Sequence, residues 1–104
     1  MLDNTFVIII SRKAEIDLDE SFIWYEEQKD NLGFEFIEAF ENTLKNILLN
    51  PYYAFLIDGE ARSASLKRFP YSVVYRIDLE RLQVRVIAIV HQHRHPNWIS
   101  NRIQ

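Results

Sequence analysis

Three histidines alternate near the end of the chain, His91, His93 and His95, and they are the side chains best suited to give or take a proton near neutral pH. In an extended backbone alternate residues share a face, so this spacing fits either a zinc site or a row of imidazoles turned toward solvent or phosphate. Pro96 follows directly, where the strand is expected to have ended, which favours the second reading; no metal site and no cofactor is expected. The absence of Cys removes thiolate nucleophiles, disulfides and Cys-ligated zinc. The remaining candidates for chemistry are cations in the same half of the chain: Arg62, Lys67, Arg68, Arg76, Arg85 and Arg94.

Their company sharpens this. The net charge of -3 hides an uneven distribution, because residues 1–50 hold 11 acids and 4 bases, whereas 51–104 hold 4 acids, 8 bases and all three His. Part of this contrast follows from acids solvating helix surfaces and Arg decorating strands. The alternative is a basic surface that meets an acidic partner or a phosphate backbone.

The elements that must position these groups can be read from periodicity. Residues Thr5 to Ser11 read as a strand, apolar at both parities and therefore expected to be covered on both faces or paired centrally. Ser11 can cap a helix from Lys13 to about Gln28, with Ala14, Leu18, Phe22 and Tyr25 on its apolar stripe. Asp30-Asn31-Leu32-Gly33 breaks the pattern, a second stripe follows in Phe36, Phe40, Leu44 and Ile47 or Leu48, and Asn50-Pro51 ends it. The short break predicts an antiparallel helix pair.

Beyond Pro51 the period becomes alternating. Asp58-Gly59 predicts a hairpin between Tyr53 to Ile57 and Ala61 to Phe69, and Glu80-Arg81 a second between Tyr71 to Leu79 and Leu82 to Val90. The expected fold class is α+β: an N-terminal strand, then an antiparallel helix pair packed on one face of a mostly antiparallel C-terminal sheet. Parity assigns Tyr71, Val73, Tyr75, Ile77 and Leu79, with Leu82, Val84, Val86, Ala88 and Val90, to the face under the helices. The opposite face is then expected to carry Ser72, Val74, Arg76, Arg85, Ile87, Ile89 and His91, with Lys67 or Arg68 close by, and to stay open for a partner.

A chain of 104 residues is expected to be one domain, 1–104. The apolar run Phe6 to Ile10 is too short for a signal peptide, and nothing approaches the roughly 18 apolar residues of a membrane span. With no Cys, a cytoplasmic location is expected and no membrane partner.

The run Leu66-Lys67-Arg68-Phe69-Pro70-Tyr71-Ser72-Val73-Val74-Tyr75, preceded by Arg62, resembles the RelE/ParE family of small bacterial toxins. So does the stretch Val86-Ile87-Ala88-Ile89-Val90-His91-Gln92-His93-Arg94-His95-Pro96-Asn97-Trp98, and Ala14, Asp17, Leu18 and Tyr25 match the family's usual opening. The resemblance covers nearly the whole chain. It implies the toxin of a type II toxin-antitoxin, or plasmid stabilisation, module, which inhibits growth and is silenced by a cognate antitoxin, with a homodimer or a toxin-antitoxin hetero-oligomer as the assembly. ParE-like members poison DNA gyrase without chemistry of their own; RelE-like members cut messenger RNA in the ribosomal A site.

Cleavage of RNA by its own 2'-hydroxyl needs a base, an acid and cations for the charge that develops on the phosphate. Under that reading His91, Arg94 and Lys67 are the catalytic candidates of a metal-independent endoribonuclease. The RelE-type pattern departs from this chain at Ser72 and Gln92, where it has arginines, and at Trp98, where it has a tyrosine. The ParE-like reading is therefore preferred and the protein is expected not to be an enzyme, with the ribosome-dependent endonuclease as the alternative. Binding candidates are Arg62, Arg68, Tyr71, Arg76, Arg85 and Trp98. Phe69-Pro70-Tyr71 also fits a simple strand start with Tyr filling the core, and Trp98 fits core closure as well as partner contact.

Overall fold

A computed structural model describes residues 5–92, so His93, Arg94, His95 and Trp98 lie outside the described residues. Strand β1 is Val7–Ile10, helix α1 Arg12–Gln28 and helix α2 Leu32–Leu49. Strands β2 (Phe55–Asp58), β3 (Ala61–Ser65), β4 (Tyr71–Asp78) and β5 (Gln83–His91) follow. The sheet order is β1-β5-β4-β3-β2, antiparallel throughout except for β1, which runs parallel to β5.

The α+β layout is as the sequence predicts, with one difference at the start of the chain. Strand β1 is an edge of the sheet, and Val7 is exposed. Its two apolar parities are explained by Phe6, Ile8 and Ile10 packing toward the core while Val7 faces out. The strand paired on both sides is β5, which lies between β1 and β4.

Helix α1 begins where Ser11 stops the strand. The Ser11 hydroxyl accepts from the Ala14 amide at 3.1 Å and donates to the Ile87 carbonyl at 3.3 Å, so one side chain caps the helix and ties it to β5. Ala14, Ser21 and Tyr25 are buried, with Leu18 and Phe22 half-buried beside them.

The connection to α2 is only three residues, with Asn31 in a left-handed conformation (φ 73°) at the cap. Gly33, expected in the break, lies inside the first turn of α2. Its amide donates to the Glu26 carboxylate at 2.8 Å, and a Cβ there would stand 2.7 Å from both the Phe22 carbonyl oxygen and Glu26 Cγ. The helices cross here with no room for a side chain. Phe36, Phe40, Thr43 and Ile47 form the buried stripe, while Leu48 is exposed.

The first hairpin is shorter than its sequence suggests. Tyr53 and Ala54 are loop because the chain before β2 is held by side chains: the Tyr75 hydroxyl donates to the Pro51 carbonyl at 2.6 Å, and Arg62 donates to the carbonyls of Tyr52 and Ala54. At the other end Arg68 adopts φ 72°, which breaks the extended run before Phe69. The second hairpin turns through 79–82, where the Asp78 carboxylate accepts from the Arg81 amide at 3.1 Å and Leu82 takes φ 53°.

A bulge in β5 changes which residues face the helices. Val74 pairs with Ala88 but Tyr75 pairs with Val86, so Ile87 is an extra residue and parity reverses there. Val84, Val86 and Ile89 join Val73 and Tyr75 in the main core. Ala88 and Val90, expected under the helices, instead cluster with Ala61 and Val74 on the opposite face, and all four are buried. Ile89 and His91 move the other way, to the helix side. The open, mixed basic and aliphatic face expected from strict alternation is therefore replaced: its middle is a small buried apolar cluster and it keeps Arg76 and Arg85 toward one end. Among the described residues no helix is long and apolar enough to cross a membrane.

Candidate functional site

The bulge delivers His91 to a cleft of about 570 Å³ between α1 and the joined ends of β4 and β5. Asp17, Glu20 and Trp24 of α1 form one wall, and Pro70, Tyr71 and His91 the other. Tyr71 pairs with His91 across the ladder, their rings 5.2 Å apart at a steep angle. Beneath His91, Tyr71, Tyr25, Phe36 and Phe69 make an aromatic cluster with centroid separations of 5.0–5.9 Å, so the floor is closely packed. Phe69-Pro70-Tyr71 thus serves both readings, since Tyr71 is core on one side and cleft wall on the other.

Asp17 fixes this arrangement. Its carboxylate accepts from the Ile89 amide at 3.1 Å, just past the bulge, where strand pairing is interrupted. Asp17, Ser21 and Trp24 follow at i, i+4 and i+7, a polar and aromatic row beside the apolar stripe of α1. That spacing is the signal in the sequence for the cleft wall; Asp17 stood out there only as part of the family resemblance, and Trp24 not at all.

Burial raises the pKa of Tyr25 above its ordinary value, with Tyr71 nearby adding to the effect. Tyr75 is pushed up to about 12 by burial and by Tyr53, partly opposed by the Arg62 guanidinium. Both phenols stay neutral at physiological pH and act as hydrogen-bonding or packing groups rather than bases.

The other predicted residues are dispersed. Arg62 is a structural clamp, its guanidinium engaged by two carbonyls and stacked over Tyr52 at 5.2 Å. Arg68 pairs with Glu35 at 2.7 Å and stacks on Phe69, and Lys67 beside it is exposed. Arg76 and Arg85 are direct partners across β4 and β5 on the face away from His91. Arg76 pairs with Glu60 at 3.2 Å, and Arg85 donates to Gln83 at 2.7 Å. Five residues of strand, about 17 Å, separate this pair from Tyr71 and His91. They line a second cleft with Glu60, Asp78 and Arg81, where the Arg81 amide holds the Asp78 carboxyl below its usual range. Among the described residues the sequence-predicted set is brought together as Tyr71 with His91 and Arg76 with Arg85. Arg94 and Trp98 lie outside the described residues, and among those described no cluster of acidic, His or Cys side chains could hold a metal ion.

Positions 72 and 92, where the RelE-type pattern has arginines, meet in space. The Gln92 side-chain amide donates to the hydroxyls of Ser65 at 3.0 Å and Ser72 at 3.4 Å. A neutral hydrogen-bonded group stands there, adjoining the strand end that carries His91.

Solved structures share this architecture. A chain of a chromosomal ParDE TA system from P. aeruginosa superposes with a TM-score of 0.73 at 16% identity, covering 86% of this chain and 98% of that one. The isolated E. coli RelE toxin gives 0.64 at 18% identity over 95% of each chain. A chain of the M. tuberculosis RelBE2 toxin-antitoxin complex gives 0.60 at 18% identity, covering 84% of this chain and 98% of that one. Comparison with curated protein sequences gives no match. An edge strand parallel to its neighbour, a tight helix hairpin and an antiparallel meander make this the RelE/ParE toxin fold. The family model described as "ParE toxin of type II toxin-antitoxin system, parDE" matches residues 8–96, and the chain belongs to that family.

Proposed function

We propose that the protein is the toxin of a type II toxin-antitoxin pair that acts by binding DNA gyrase, with no bond-breaking chemistry of its own, and that a cognate antitoxin neutralises it. The observation that carries this reading is the neutral Gln92, Ser72 and Ser65 group. Stabilising a phosphorane-like transition state needs cations preorganised within hydrogen-bond reach of the acid or base. Among the described residues the strand end that carries His91 places hydroxyls and an amide on the sheet face opposite the imidazole, and the cleft wall facing His91 adds the carboxylates of Asp17 and Glu20. Negative charge there repels a phosphate backbone and suits a protein surface. The cations Arg68, Arg76 and Arg85 are each engaged by a neighbouring side chain.

In this reading the protein works in the bacterial cytoplasm, and the cleft wall of Trp24, Tyr71 and His91 is available to protein partners. Tyr71, Arg68, Arg76 and Arg85 are the residues proposed for partner binding, with Arg62 supporting them through the loop it holds. The test uses purified protein with gyrase, relaxed plasmid and ATP. Supercoiling falls as toxin is added and recovers when antitoxin is supplied, whereas message on translating ribosomes stays intact. Cleavage within codons on those ribosomes, abolished by His91→Ala, Arg94→Ala or Lys67→Ala in a folded protein, would overturn the proposal in favour of the endonuclease.

A further inference from the structure

Far from the cleft, the other edge of the sheet is apolar. Thirteen large apolar side chains are exposed among the described residues, and seven of them fall within the ten residues 48–57. The foremost are Leu49 (84% exposed), Phe55 (66%) and Leu56 (54%), with Tyr52, Tyr53 and Ile57 beside them. The run 48–57 contains no charged residue, in a chain where 26% of residues are charged. Strand β2 ends the sheet, and every residue in it is exposed. Sheet edges are ordinarily protected by charge, proline or cover. This one has Asp58 only at its end, beside the Gly59 turn, and a register shift between Leu56 and Asp58.

We infer that this edge is a self-association surface, on which a second copy of the chain packs about a two-fold axis with the β2 strands antiparallel. A two-fold axis sets a patch against itself, which requires that it bring no like charges together. The uncharged run 48–57 meets that requirement, whereas a charged partner surface would lose hydration there without finding a counter-charge. The area also fits. Large aromatic side chains present roughly 150–250 Å² and aliphatic ones somewhat less, so the seven offer on the order of 700 Å², near the roughly 800 Å² each partner buries in a specific complex. Because β2 is short and its register shifts, the end of α2 and the loop 50–54 supply most of that area. Strand pairing supplies the alignment, extending the sheet from five strands to ten.

The test is sedimentation equilibrium of the isolated full chain across a dilution series from about 100 μM to below 1 μM, a range that brackets typical weak interfaces. The expected result is a reversible dimer of twice the 12.5 kDa chain mass. Phe55→Lys and Leu49→Glu should each weaken it about tenfold or more. Leu79→Lys, at an exposed site on the distant β4–β5 turn, should leave it unchanged. Leu49→Glu alters an exposed helix end, so its result stands even if Phe55→Lys perturbs the strand; circular dichroism monitors both. A monomer at every concentration would overturn the inference. So would a dimer indifferent to both patch variants, or a monomer whose patch variants instead weaken antitoxin binding.

Discussion

Replacing Gly33 by Ala should destabilise the protein, against the ordinary trend for a helical glycine. In a helix interior the exchange normally gains about 1 kcal/mol, because Ala loses less backbone entropy. Gly33 does not have a positive φ, so that gain is available. What opposes it is space. The added Cβ would stand 2.7 Å from the Phe22 carbonyl oxygen, a backbone atom of the neighbouring helix, and 2.8 Å from the Phe22 ring. Overpacking of this kind costs about 1–3 kcal/mol. Separating the helices also lengthens the 2.8 Å bond from the Gly33 amide to the Glu26 carboxylate, and a hydrogen bond to a charged group contributes about 1.5–3 kcal/mol when well made. Partial loss of that bond together with the steric term exceeds the helical gain, leaving a net cost of about 2 kcal/mol. For a domain of this size that lowers Tm by roughly 10 °C. Thermal unfolding followed by circular dichroism reads this directly. A variant at or above the wild-type Tm would refute the close-crossing argument and leave only the helical gain.

Other substitutions probe the loop and the bulge. Tyr75→Phe removes the 2.6 Å bond to the Pro51 carbonyl and should cost about 1 kcal/mol in urea denaturation. The same residue predicts a pH dependence. Its folded-state pKa of about 12 lies above the ordinary 10, so its contribution is complete below pH 10 and is lost as pH rises from 10 toward 12; stability of Tyr75→Phe should fall less across that window. Asp17→Ala leaves the Ile89 amide without its carboxylate partner and should cost about 1–3 kcal/mol, with faster hydrogen exchange at Ile89 than at Val84. Unchanged exchange at Ile89 would show that Asp17 does not hold the bulge. Arg68→Ala breaks an exposed ion pair with Glu35 and should cost less than about 1 kcal/mol, so any larger loss of antitoxin or gyrase binding reports on contact rather than folding.

The helices and turns were legible because polar and apolar residues alternate along them in ways that only one period fits. Ser11, Asn50-Pro51 and Asp58-Gly59 each fall at an observed boundary. The bulge was not legible. Val86-Ile87-Ala88-Ile89-Val90 is apolar at every position, so a one-residue slip leaves no mark in the pattern, and it moved His91 from one face of the sheet to the other. The same lack of contrast in Phe6 to Ile10 hid the edge position of β1. Arg62 misled for a different reason: a cation looks alike in sequence whether it awaits a phosphate or already bonds the carbonyls of Tyr52 and Ala54. Lys67 stays exposed as a surface cation would, whereas Tyr71 and His91, expected on opposite faces of the sheet, come together because of the bulge. Family membership was legible because it rests on the order of many weak fragments rather than on any one face.

Under the proposed function this toxin binds its target and does not cut RNA. The most direct measurement adds purified protein, in parallel, to a gyrase supercoiling reaction and to ribosomes translating a labelled message. Supercoiling should be lost at stoichiometric toxin and restored by antitoxin, with message of full length. Supercoiling untouched while the message is cut within codons would contradict it.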